Sequence, residues 1–162
     1  MTEPTLTLIE RVELILAEHG ITFRSDARKL SSNINCGLVT CRLRIAPAER
    51  MLRCLISLPV FVPQPQRSAV AEVLCRINFN LYSGAFEMDM GDGELRYRNA
   101  LPLIDGVPTD EQLKWLVFWS WGLVSRYTTA LMEVLTEACS PEAAIAKIEA
   151  EGMQLLLQER PN

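Results

Sequence analysis

The chain has 162 residues, of which 49% are hydrophobic and 22% charged, and a formal net charge of −4. That size suits one globular domain, able to bury about 70% of its unfolded surface without disulfide staples. The acidic balance argues against a nucleic-acid or anionic-membrane partner and leaves room only for a local basic patch. No apolar run approaches the ~18 residues that cross a bilayer. The first residues carry Glu3 and Glu10 without a basic segment, which does not read as a signal peptide. Cys36, Cys41, Cys54, Cys75 and Cys139 form no CxxC pair. Their odd count suggests reduced thiols and a cytoplasmic protein.

The first helix is expected from Leu8 to His19, opened by a Thr7-x-x-Glu10 capping box and stopped by Gly20. A short strand follows near Ile21 to Ser25, and residues 28–35 (RKLSSNIN) read as a loop. Two alternating strands come next. Val39, Cys41, Leu43 and Ile45 share a face of the first, and Leu52, Cys54, Ile56 and Leu58 a face of the second. A loop at residues 46–49 would set Leu43 opposite Leu52 and Cys41 opposite Cys54. Pro59, Pro63 and Pro65 end that strand, and a helix follows from Gln66 to Leu81 with Val70, Val73, Leu74, Ile77 and Leu81 on its apolar stripe.

The segment Gly84 to Arg98 reads as a β-hairpin around Asp92-Gly93. A two-residue turn would pair Met90 with Leu95 and Met88 with Tyr97 on one face, and Asp89 with Arg96 and Glu87 with Arg98 on the other. Leu101 to Pro108 is a connecting loop. Thr109 caps a helix expected to reach Cys139, and Ser140-Pro141 starts a last helix to Gln158. The fold class is therefore α+β in the order α-β-β-β-α-β-β-α(-α), a single domain with about five antiparallel strands packed against helices.

Several residues in this order resemble the YbjN family of bacterial sensory transduction regulators. They are Asn78 and Asn80 at a helix end, Gly84-Ala85-Phe86, Asp92-Gly93-Glu94-Leu95, Tyr97-Arg98, Leu101-Pro102 and the helix start Thr109-Asp110-Glu111-Gln112-Leu113. The likeness is clearest from about residue 70 to 135. It implies a fold similar to the type III secretion chaperones, small acidic homodimers that bind extended segments of partner proteins. It implies no catalytic residue.

Two groups stand out as candidate sites. At 100° per residue, Leu113, Leu116, Val117 and Val124 fall on one side of the third helix, while Trp115, Phe118 and Trp119 fall on the other. A helix apolar all round must be covered. The cover is either the last helix, through Ile145, Ile148, Leu155 and Leu156, or a second copy or partner. Arg42 and Arg53 would stand opposite each other on the polar sheet face, an unfavourable pairing that solvent, carboxylates of this chain or an acidic partner would relieve. His19 and the cysteines read as packing residues, with Cys41 and Cys54 close enough for a disulfide under oxidation. The carboxylates around Asp92 lack a calcium-loop spacing.

No P-loop, GxGxxG, GxSxG or HExxH occurs. No catalytic, cofactor-binding or metal residue is assigned. The expected function is a non-enzymatic, chaperone-like protein-binding or regulatory module, a homodimer that takes a partner segment through Trp115, Phe118, Trp119, Arg42 and Arg53. The alternative is a small-molecule sensor with a pocket between sheet and helices, lined by Phe86, Tyr97 and Trp121. An enzyme with an unrecognised site is a third class.

Overall fold

The computed structural model describes residues 6–104 and 106–158, with side chains to residue 151. Helix α1 (Leu8–Glu18) leads into strands β1 (Arg24–Asp26), β2 (Lys29–Cys36), β3 (Val39–Ala48) and β4 (Met51–Phe61). A 3₁₀ turn and α2 (Arg67–Phe79) follow, then β5 (Ala85–Met88), β6 (Glu94–Pro102), α3 (Asp110–Leu135) and α4 (Pro141–Gln158). The strands form one antiparallel sheet in the order β1-β2-β3-β4-β6-β5.

Six strands replace the five expected, because residues 29–36 form β2 rather than a loop. Leu30, Ser32, Ile34 and Cys36 alternate inward on it. Ser32 interrupts the apolar pattern, and its buried hydroxyl donates to the Thr22 carbonyl at 2.6 Å.

Helix starts follow the local chemistry. Thr7 and Glu10 close a capping box on α1, and Thr109 and Gln112 close another on α3. Each satisfies two backbone N–H groups that a helix start would otherwise leave open. Helix α3 ends at Leu135, four residues short of the expected Cys139, and Glu137 takes a positive φ of 58° before α4 begins. The core lies between the sheet and the helices. Leu43, Ile45, Leu52, Ile56, Leu95 and Tyr97 of the inward face are sealed completely, as are Leu113, Leu116, Val117 and Val124 of α3. Each fully buried aliphatic side chain contributes about 2 kcal/mol to this layer.

Both hairpin registers differ from expectation. Strand β3 continues through Pro47 to Ala48, and the turn falls at Glu49-Arg50, with Glu49 in the left-handed region at φ 55°. Leu43 therefore faces Ile56 instead of Leu52, and Arg42 faces Ser57 instead of Arg53. Pro47 is accommodated because β2 ends before reaching it, so its missing N–H leaves no ladder bond unmade there. Cys41 faces Ile34, and Cys54 lies between Ile45 and Asn99, so the expected Cys41–Cys54 pair does not form.

In the second hairpin Glu87 faces Arg96 and Met88 faces Leu95. Asp89 and Asp92 accept from the N–H groups of Gly91 and Glu94, which widens the connection beyond the two-residue turn. Gly93 (φ 88°) lies against β4's end, where the Val62 N–H donates to its carbonyl at 2.8 Å. A Cβ at Gly93 would fall 2.2 Å from the Val62 carbonyl oxygen.

Candidate partner-binding surfaces

The inward face of the sheet is occupied by helices, and its outward face carries none among the described residues. The pairing register builds that outward face row by row: Arg24, Ser31, Arg44, Leu55, Arg98 and Ala85 form one line across all six strands. Asn33, Arg42, Ser57, Arg96 and Glu87 form the next. Seven of the chain's 16 Lys and Arg residues stand here: Arg24, Lys29, Arg42, Arg44 and Arg53 on β1 to β4, with Arg96 and Arg98 on β6.

The two ends of this face differ in charge pairing. On β6, Arg96 Nε donates to Glu87 at 3.0 Å and Arg98 Nε donates to the other Glu87 oxygen at 2.6 Å. Burial alone would raise the Glu87 pKa, but the hydrogen bonds from Arg98 and Arg96 outweigh it and hold it below the ordinary carboxylate value. Glu94 adds a second carboxylate, 3.8 Å from Arg96. On β1 to β4, by contrast, Lys29 approaches Asp26 only at 3.9 Å. Among the described residues, Arg24, Arg42, Arg44 and Arg53 make no ion pair.

The unpaired end is also the concave one. A hollow of about 420 Å³ is rimmed by Lys29, Arg42, Arg44 and Arg53, with Leu55 and Ala46 among its lining. A second, of about 370 Å³, lies between β1 and β2 and shares Ser31 and Arg42 with the first. Arg42 and Arg53, not directly opposed as expected, therefore still line one cavity.

The tryptophans belong to a different surface. Leu113, Leu116, Val117 and Ser120 turn α3 toward the sheet, and Trp115 and Trp119 project from its far side, 39% and 40% exposed. Their rings stack with centroids 6.1 Å apart and planes 18° from parallel. Ile145 and Ile148 pack into the core, while Leu155 and Leu156, the other residues expected to cover the indoles, lie outside the described side chains. Phe118 is half-buried between the His19 and Trp121 rings, at 4.5 and 6.4 Å. The sequence grouped Trp115, Phe118 and Trp119 with Arg42 and Arg53; the fold puts the aromatics on the helix side and the arginines on the opposite face of the sheet.

A pocket between sheet and helices does not assemble from Phe86, Tyr97 and Trp121. Phe86 and Tyr97 are 2% and 0% exposed and pack edge-to-face at 5.0 Å. Tyr97 donates its hydroxyl to the Ser83 carbonyl at 2.8 Å, and burial pushes its pKa up to about 12. Trp121 sits elsewhere, donating its indole N–H to the Asn35 carbonyl of β2 at 2.7 Å. His19 accepts no catalytic partner: its Nδ1 lies 2.8 Å from the Ile15 carbonyl. Among the described residues no three His, Cys, Asp or Glu side chains are placed to share a metal ion, and no helix is long and apolar enough to cross a membrane.

The sequence signal missed was Lys29, hidden in an apparent loop. Its position two residues before Ser31 and opposite Asp26 of β1 places it on the arginine face once β2 is recognised.

Among the described residues, an antiparallel sheet with its helices on one face and a charged, open second face defines a small α+β domain. The chain belongs to the YbjN family: residues 8–133 match its model, described as "Putative bacterial sensory transduction regulator". That description names a regulator and no reaction. Among solved structures, YbjN from E. coli, "a putative transcription regulator", shares the fold at a TM-score of 0.59 and 20% identity, over 84% of this chain and 94% of that one. An uncharacterized protein from Methanothermobacter thermautotrophicus aligns at a TM-score of 0.47 and 17% identity, over 79% and 98%. No curated protein matches the chain.

Proposed function

We propose that this chain is a non-enzymatic, chaperone-like regulatory module that holds a segment of a partner protein on the bare face of its sheet and assembles as a homodimer through α3. The observation that carries this reading is the open sheet face, where Arg42, Arg44 and Arg53 surround a hollow containing Leu55 without a carboxylate of their own. An apolar floor ringed by guanidinium groups supplies both burial and orientation to a bound segment.

The dimer rests on the outer stripe of α3. Glu111, Trp115, Gly122 and Arg126 lie along it, all exposed. Two such helices packed antiparallel about an axis beside Phe118 set Trp115 of each copy over Gly122 of the other, where an added Cβ would meet nothing within 4 Å. The same pairing sets Glu111 against Arg126 twice, so the contact is self-complementary.

A photo-crosslinking amino acid placed at Leu55 tests the first half. In source cells it is expected to give adducts with a partner protein, and none above background once the face carries Arg42→Glu and Arg53→Glu. Absence of adducts from the unaltered face sinks the reading. Sedimentation tests the second half: the wild type should run as a dimer and Trp119→Glu as a folded monomer, with circular dichroism unchanged.

A further inference from the structure

We infer that the segment held on the open sheet face is an acidic, partly apolar stretch of polypeptide, an assignment that rests on the partner-capture reading above. Charge complementarity carries it. The arginines of this face divide into two sets by what they already hold. Arg96 and Arg98 are satisfied by Glu87, with bonds of 3.0 and 2.6 Å. Arg24, Arg42, Arg44 and Arg53 meet no carboxylate among the described residues, though the chain as a whole carries 20 Asp and Glu. The fold thus neutralises one end of the face and leaves the other end, with Lys29, positive and concave.

Like charges on neighbouring strands repel. The face relieves that repulsion by solvation when free and by carboxylates when occupied. Guanidinium groups take carboxylates in bidentate fashion, which orients as well as attracts. The two adjoining hollows, joined at Ser31 and Arg42, cross four strands spaced about 4.8 Å apart. The three gaps make about 14 Å, which an extended segment of about five residues spans at ~3.3 Å per residue. Leu55 and Ala46, which line the larger hollow, accept apolar side chains between the acidic ones.

Nucleic acid would use the same cations but fits less well. Strands of single-stranded nucleic acid stack their bases on aromatic side chains. Arg42, Arg44 and Arg53 have Leu55, Ser57 and Ala46 as their cross-strand neighbours on β3 and β4, and the two hollows hold a single ring between them, half-buried Phe23, too few to stack a run of bases. A long polyphosphate running off the patch would also meet the acidic remainder of a chain with net charge −4.

Fluorescence anisotropy with three labelled probes tests the assignment: a peptide of about ten residues mixing Glu and Leu, its Lys-for-Glu counterpart, and an oligothymidylate of similar length. The acidic peptide should bind the full chain, and the basic one should not. Arg42→Glu with Arg53→Glu should weaken binding by about thirtyfold, and about 0.5 M salt should abolish most of it. Arg96→Gln, at the neutralised end, should leave affinity within about twofold. Should the charge-reversed protein fail to fold, Arg42→Gln with Arg53→Gln replaces it. Equal binding of the basic peptide, tighter binding of the oligothymidylate, unchanged affinity in the variants, or no binding of the acidic peptide each overturns the acidic assignment. Protein adducts from Leu55 alongside such a failure would keep the capture surface and discard only its charge class; loss of those adducts as well would discard both.

Discussion

Asn78 closes the edge of the sheet, and removing its amide should both destabilise the fold and make it associate. Strand β5 pairs with β6 on one side only, so its other side is an edge. There Asn78, in the last turn of α2, accepts from the Phe86 N–H at 2.9 Å and donates to the Phe86 carbonyl at 2.9 Å. One side-chain amide thereby stands in for a neighbouring strand. Asn78→Ala breaks both bonds to Phe86, which is only 2% exposed. At about 1 kcal/mol each the loss is ~2 kcal/mol, more if the two groups stay dry. With a urea slope of about 2 kcal/mol/M, the unfolding midpoint should fall by about 1 M. The Phe86 amide should lose hydrogen-exchange protection before its neighbours on β6. The freed edge should also pair with other copies, giving concentration-dependent species that the wild type lacks. A variant with an unchanged midpoint, a protected Phe86 amide and no added association would refute the capping role.

Three further outcomes follow from the same hairpin. Glu87→Gln should cost about 1 kcal/mol at neutral pH, because its bonds to Arg96 and Arg98 are charge-assisted and the carboxylate is 26% exposed. Its pKa is lowered on folding, so that contribution is present above the ordinary value of 4.5 and disappears as pH falls through the folded value. Urea midpoints of variant and wild type should therefore converge in acid, and a constant gap would contradict the pairing. Gly84→Ala should cost about 3 kcal/mol, lowering the melting temperature by roughly 6–12 °C. Its φ is 72°, and a Cβ would stand 2.1 Å from the Tyr97 hydroxyl that bonds Ser83. Tyr97, raised on folding from 10 to about 12, contributes stability that is full below pH 10 and drains between pH 10 and 12. Tyr97→Phe should flatten that alkaline decline by about 1.4 kcal/mol per pH unit, read from melting curves.

What the sequence reveals depends on whether a signal is local. The caps at Thr7 and Thr109 are legible because each is complete within four residues. The inward faces of β3 and β4 are legible because apolar residues alternate without interruption, and that of β6 through Leu95 and Tyr97, before buried Asn99 breaks the pattern. Strand β2 is not, since inward Ser32 and outward Ser31, Asn33 and Asn35 erase the contrast between faces. Both hairpin registers slip by an even number of residues, four for β3–β4 and two for β5–β6, as Leu43 facing Ile56 and Glu87 facing Arg96 record. An even slip keeps every side chain on its own face, so the apolar pattern is indifferent to it. Turn chemistry decides instead: the left-handed Glu49 in one case, the Asp89 and Asp92 side chains in the other. By the same indifference, the sequence pattern specifies the face of Arg42 and Arg53 but not their cross-strand partners.

The unpaired arginines and the exposed indoles were both visible as residue types, but their separation was not, because it depends on which side of the sheet the helices take. With helices filling one side, α3 keeps an exposed outer stripe, where the proposed dimer would form, and the sheet's own outer face stays free, where the proposed partner segment would lie. The edges are withheld from both uses. Asn78 occupies the edge of β5, and β1, at the other end, is only three residues long. A long open edge would let any extended chain add as a strand, selected mainly by backbone bonding. Blocking the edges leaves recognition to side chains on a face, where the charge pattern can choose. That division predicts independent failures: Trp119→Glu should yield a monomer that still binds the acidic peptide, and Arg42→Glu with Arg53→Glu a dimer that does not. Loss of both properties in either variant would mean the two surfaces are one.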